Sequence, residues 1–70
     1  MTPAGQFGRN LFMARRRMGV TQEALSVMAG LHRGTVNLLE GGHRSPRLPT
    51  IVALAEALGV DPGELLEGLR

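Results

Sequence analysis

The sequence predicts an all-α fold, a compact set of five short helices, and three observations carry that reading. Apolar residues recur at helical spacing through the first 18 positions. Glycines and prolines punctuate the remainder into segments of helix length, and no segment reads as a strand. The chain has 70 residues and no cysteine, so one small core must hold it without a disulfide framework or a thiolate metal site. One domain is expected over residues 5–70, with residues 1–4 as a flexible tail ahead of it.

The first helix is predicted from Gly5 to about Met18. Phe7, Leu11, Ala14 and Met18 fall on one face at i, i+4, i+7 and i+11, while Arg9, Arg16 and Arg17 lie off it. Gly19 ends this helix, and Val20 precedes a new cap as a staple-like apolar residue. Thr21 offers a side-chain oxygen to the start of a second helix, Gln22 to about Ala29, and Glu23 sits in its first turn, where the helix dipole favours negative charge. Gly30 permits the left-handed turn that redirects the chain. A third helix from about Arg33 to Glu40 then presents Val36 and Leu39 toward Leu25 and Met28. The Thr21–Glu40 stretch thus reads as a helix-turn-helix, and the chain is organised around it.

GGHRSP breaks the third helix and gathers His43, Arg44 and Arg47 in one loop. A fourth helix from about Pro49 to Leu58 buries Ile51, Leu54, Ala55 and Leu58, with proline tolerated in its first turn. Gly59 stops it. Asp61-Pro62-Gly63-Glu64 reads as a capping box with proline at the first helical position, opening a short fifth helix that offers Leu65, Leu66 and Leu69.

Charge is distributed unevenly along the chain. Residues 1–50 carry seven arginines against Glu23 and Glu40, whereas residues 51–70 carry Arg70 against Glu56, Asp61, Glu64 and Glu67. The basic part contains the helix-turn-helix and suits phosphate; the acidic end should point away from a duplex. All 8 basic residues are arginine, which favours forked contacts to phosphates and bases, or equally reflects a GC-rich coding sequence.

No apolar run approaches the length that spans a bilayer, and MTPAGQFGRN lacks a signal-peptide core, so no membrane association is expected and the localisation expected is cytoplasmic, on a bacterial or phage nucleoid. His32 and His43 fall near opposite ends of the third helix with no carboxylate at ligand spacing, so no metal is expected. Glu64 and Glu67 read as a solvated face rather than an acid and base pair. Gly41-Gly42 lacks the lysine and further glycine of a phosphate-binding loop. We expect no enzyme, no cofactor and no small-molecule ligand.

The residues of the motif carry a resemblance. Leu25, the small Ser26, Gly30, Leu31, Val36 and Leu39 resemble the apolar, small and glycine positions of the phage repressor and Cro family, the xenobiotic-response-element regulators. The Leu39-Glu40 pair, the loop GGHRSPRL and the run TIVALAEALGVDPGELL resemble the later helices of that family, so the likeness covers about residues 5–69. It implies a lambda-repressor-like DNA-binding domain with the helix-turn-helix at helices 2 and 3. It also implies a salt bridge from Arg15, oddly placed beside the buried stripe, to Glu40 at the end of the third helix; the alternative is a solvated surface arginine.

With Val36 and Leu39 inward, the opposite face of the third helix carries Gly34, Asn37, Leu38 and Gly41, with His32 and Arg33 at its exposed start. These are the candidates for base contact: Arg33 with guanine, Asn37 with adenine, Leu38 with a thymine methyl, and Gly34 for close approach. The family resembled places a phosphate contact at Gln22, and Thr35 with Asn37 against the opposite strand; His43 and Arg44 would grip the next phosphates. The family usually has polar side chains where Gly34 and Leu38 stand, so specificity from DNA shape is expected alongside direct readout.

The function expected is sequence-specific binding of double-stranded DNA by a transcriptional regulator, a repressor, acting as a homodimer through Leu65, Leu66 and Leu69. The competing expectation is a protein-interaction module or antitoxin that keeps the fold with weak base readout, favoured by the small and apolar Gly34, Leu38 and Gly41.

Overall fold

The computed structural model describes residues 1–69. Its helices are α1 (Pro3–Met18), α2 (Gln22–Met28), α3 (Thr35–Glu40), α4 (Leu48–Leu58) and α5 (Pro62–Leu65), with no strand among the described residues. Helix α1 is the hub: it packs on α3, α4 and α5, while α2 packs on α3 and α4. Phe7 and Leu11 from α1, Leu25 from α2, Val36 and Leu39 from α3, Leu54 from α4 and Leu65 from α5 are all but sealed from solvent. Each helix therefore contributes to one shared apolar centre, the arrangement by which short amphipathic helices stabilise each other.

Three helix starts differ from the sequence expectation, two of them for a capping reason. Helix α1 begins at Pro3 rather than Gly5, because Thr2 Oγ1 accepts from Gly5 N at 3.0 Å and proline occupies the first turn. Helix α3 begins at Thr35 rather than Arg33, because Gly34 adopts φ 85° at the cap position. Arg33 is thus in the turn ahead of α3 rather than at its start, and Gly34 and Gly41 cap the two ends of the helix rather than lying on its outer face. Helix α4 begins at Leu48, one residue ahead of Pro49.

Two methionines expected inside are outside. Met18 and Met28 are 44% and 46% exposed, since each sits at the last turn of its helix and the core closes without it. The capping box at the start of α5 is half formed: Asp61 Oδ1 accepts from Gly63 N at 2.8 Å. Glu64 instead points toward Arg17, whose Nη2 lies 3.8 Å from its carboxylate on an exposed surface.

Two contacts lock the fold together. Gly8 is buried where α1 crosses the end of α3; a Cβ at that position would stand 2.7 Å from the Glu40 carbonyl oxygen and closer still to that of Leu39. Asn10 closes the other side. Its Nδ2 donates to the carbonyls of Leu65 at 2.9 Å and Glu67 at 2.8 Å, and its Oδ1 accepts from Gln6. Helix α5 has only 4 residues and could not persist alone. Asn10→Ala is accordingly expected to lower stability by roughly 2 kcal/mol, at about 1 kcal/mol for each of the two bonds lost to the α5 segment, the bond from Gln6 being replaced by water. Native-state hydrogen exchange should show the loss concentrated after Pro62.

Candidate DNA-binding face

The face is built on the α2–α3 pair and the loop that follows it. Thr21 Oγ1 accepts from Ala24 N at 3.0 Å and starts α2 with Gln22 in its first turn. The chain leaves α2 through Gly30 at φ 69°, and Leu31 N returns to the Ser26 carbonyl at 2.8 Å, satisfying the end of the helix. Leu25 and Ser26 are buried against α3, Ser26 being small enough for the two helices to close.

His32, Arg33 and Gly34 are exposed in the turn, and Asn37 is exposed on α3; Leu38 and Thr35 are half-buried. A Cβ built on Gly34 meets nothing within 4 Å, so the backbone there is bare to whatever approaches. His43 and Arg44 are exposed in the following loop, the His43 ring lying over Gly41.

Helix α3 is flanked by two open grooves. One, of about 520 Å³, lies between α3 and the start of α4 and is lined by His32, Thr35, Arg44, Ser45, Arg47 and Thr50 among others, with no carboxylate in its wall. The other, about 180 Å³, lies between α2 and α3 and is lined by Gln22, Glu23, Ser26, Arg33, Gly34 and Asn37. The first offers cations and hydroxyls, the chemistry that suits phosphate oxygens. Arg47 and Thr50 join it although sequence reasoning did not single them out as contacts. Arg47 was visible in the basic loop; Thr50 carried no sequence mark, because only the packing of α4 brings it to α3.

Behind the face runs a connected polar network. Arg15 Nε donates to Glu40 Oε2 at 2.6 Å and its Nη2 to Glu40 Oε1 at 3.1 Å, a forked pair, while Nη1 donates to the Val20 carbonyl at 2.9 Å. The Arg15 and Glu40 side chains are only 11% and 5% exposed. Gln22 Nε2 donates to Glu40 Oε1 at 2.9 Å, and Asn37 Nδ2 donates to Gln22 Oε1 at 3.1 Å. Buried charge is thereby satisfied on every side, and no buried side-chain nitrogen or oxygen of the described residues lacks a partner.

Residues 11–65 match the sequence profile of the helix-turn-helix family. The chain belongs to that family, of the Cro type. This helix-turn-helix regulator is 39% identical over 59 residues to the uncharacterized HTH-type transcriptional regulator y4dJ of Sinorhizobium fredii (strain NBRC 101917 / NGR234), covering 84% of the chain and 77% of the relative. In fold the regulator is similar to the restriction-modification controller protein C.AhdI from Aeromonas hydrophila, with a TM-score of 0.86, 39% identity and coverage of 89% and 90% of the two chains. It is also similar to the hypothetical transcription factor NHTF from Neisseria, with a TM-score of 0.87, 31% identity and coverage of 91% and 74%. No helix among the described residues of the regulator is long and apolar enough to cross a membrane.

Proposed function

We propose that this regulator is a sequence-specific repressor that places α3 and the turn before it in the major groove of double-stranded DNA. The observation that carries the reading is the exposed α3 start beside a groove lined by His32, Arg44 and Arg47 with no acid in its wall. Helix α3 is 6 residues long, about 9 Å at 1.5 Å per residue, so the turn must share the reading. His32, Arg33, Gly34, Asn37 and Leu38 are assigned to the base edges. Gln22, Thr35, His43 and Arg44 are assigned to phosphates, with Arg47 added to them. Likeness to a restriction-modification controller protein supports a regulatory rather than an enzymatic role.

A homodimer fits a palindromic operator with half-sites about 34 Å apart. Of the three leucines assigned to its interface, Leu65 and Leu69 pack into the monomer core, because Asn10 draws their segment onto α1. Leu66 is 38% exposed, and Leu48 and Val52, one turn apart on α4, are 71% and 40% exposed. The proposed interface therefore moves to Leu66, Leu48 and Val52.

Selection of bound duplexes from a random pool, at low and at physiological salt, tests the reading. The expected result is a two-fold symmetric motif whose binding weakens steeply with salt. Binding to a protein partner that barely responds to salt, with no motif recovered, would favour the interaction module or antitoxin instead. Arg33→Ala is expected to cost about 1–3 kcal/mol at one base pair and relax the preference there. Arg44→Ala is expected to weaken all duplexes alike and to lower the salt slope by about 1. Titration of both variants against the selected and scrambled duplexes separates the two effects.

A further inference from the structure

The network behind the face has a direction. The Glu40 carboxylate, held by Arg15, has only acceptors to offer. Gln22 therefore turns Nε2 toward Glu40 Oε1 at 2.9 Å and Oε1 away from it. That oxygen only accepts, so it takes a hydrogen from Asn37 Nδ2 at 3.1 Å. The Asn37 carboxamide is then oriented with nitrogen toward Gln22 and Oδ1 turned away from it, on an exposed side chain at the edge of the α2–α3 groove.

We propose that Glu40, acting through Gln22, sets the polarity of the Asn37 carboxamide, so that Asn37 accepts a hydrogen bond from an exocyclic base amine. Adenine is the best match, its N6 donating to Oδ1 while N7 accepts the remaining Nδ2 hydrogen. The inference rests on the DNA reading above and deepens it. Asn37 touches the base; Gln22 and Glu40 are positioning residues. An unconstrained asparagine offers its edge in either order at little difference in energy, and the flipped order would favour base acceptors such as guanine O6 or thymine O4. Here flipping would set the Asn37 oxygen against the Gln22 oxygen, and flipping both would set the Gln22 oxygen against the Glu40 carboxylate. A carboxylate on the inner side of the helix thus selects what its outer side reads.

The test compares the wild-type chain with Gln22→Ala and Asn37→Ala, both of which leave the Arg15–Glu40 pair in place. Duplexes differ only in the base pair that Asn37→Ala shows to be its own. In parallel, NMR relaxation of the Asn37 Nδ2 group is measured in the free protein. The wild type is expected to prefer the adenine duplex roughly tenfold over its guanine counterpart, with an Asn37 amide as ordered as rigid backbone, an order parameter of about 0.85. Gln22→Ala should remove most of the preference and drop the order parameter below about 0.6. If Gln22→Ala instead weakens every duplex equally and leaves the preference intact, Gln22 is only a phosphate anchor and the relay is wrong. A disordered Asn37 amide in the wild type would also overturn it. An ordered amide released by Gln22→Ala, in a chain with no preference among duplexes, would overturn the DNA reading and leave the relay standing.

Discussion

Gly8→Ala is expected to lower stability by about 3 kcal/mol, the upper end of what overpacking usually costs. The added Cβ would lie 2.7 Å from the Glu40 carbonyl oxygen and nearer to that of Leu39. Both are backbone atoms at the end of α3, so no side chain can swing aside. Relief requires α3 to move off α1, and that movement stretches the Arg15–Glu40 pair and uncovers Val36 and Leu39, which are 0% and 1% exposed. At roughly 4–8 °C per kcal/mol for a domain of this size, the thermal midpoint should fall by about 12 °C or more. Far-UV circular dichroism with heat and with urea measures it. A variant within about 0.5 kcal/mol of wild type would show that the α1–α3 crossing yields easily. DNA binding by the surviving folded fraction should also weaken, because α3 carries the proposed reading residues.

Glu40→Ala should be comparably severe, at about 3–5 kcal/mol. It strands the Arg15 guanidinium, which is 9% exposed as a residue and keeps only the Val20 carbonyl and the Phe12 ring, 5.5 Å away, as partners. Most of that cost is the penalty of an unpaired buried charge rather than the worth of the pair. The double variant Arg15→Met with Glu40→Leu is therefore expected to recover most of the loss, since apolar replacement of a buried pair is often neutral. A double-mutant cycle in urea measures this; equal destabilisation of single and double variants would mean that the pair is itself strongly favourable. Added salt should change wild-type stability little, because a pair this enclosed is poorly screened.

The two variants part company at the DNA. Glu40→Ala removes the acceptor that orients Gln22, whereas Gly8→Ala shifts the whole of α3. Loss of preference at the Asn37 position, beyond the loss of affinity, is expected of the first even in the double variant, where stability has returned.

Local features of this protein were legible in its sequence, because the forces behind them act over one or two turns. The apolar stripe Phe7, Leu11 and Ala14, the Thr21 cap, the turn at Gly30, the stops at Gly19 and Gly59, and five helices in order all follow from periodicity and capping. So does the inward placement of Leu25, Val36, Leu39, Leu54 and Leu58. Ends were less legible: whether Gly34 continues α3 or caps it at φ 85° depends on how the turn before it closes, not on residue type alone. Which leucines near the chain's end remain free was decided by Asn10, 55 residues away from its partner Leu65. That Gly8 is a crossing point, that Thr50 reaches the groove, and that Gln22 joins Glu40 to Asn37 are facts of distance between elements. Spacing along a chain carries side-chain direction within a helix, but the separation of two helices is set by everything packed between them, and only the assembled core decides it.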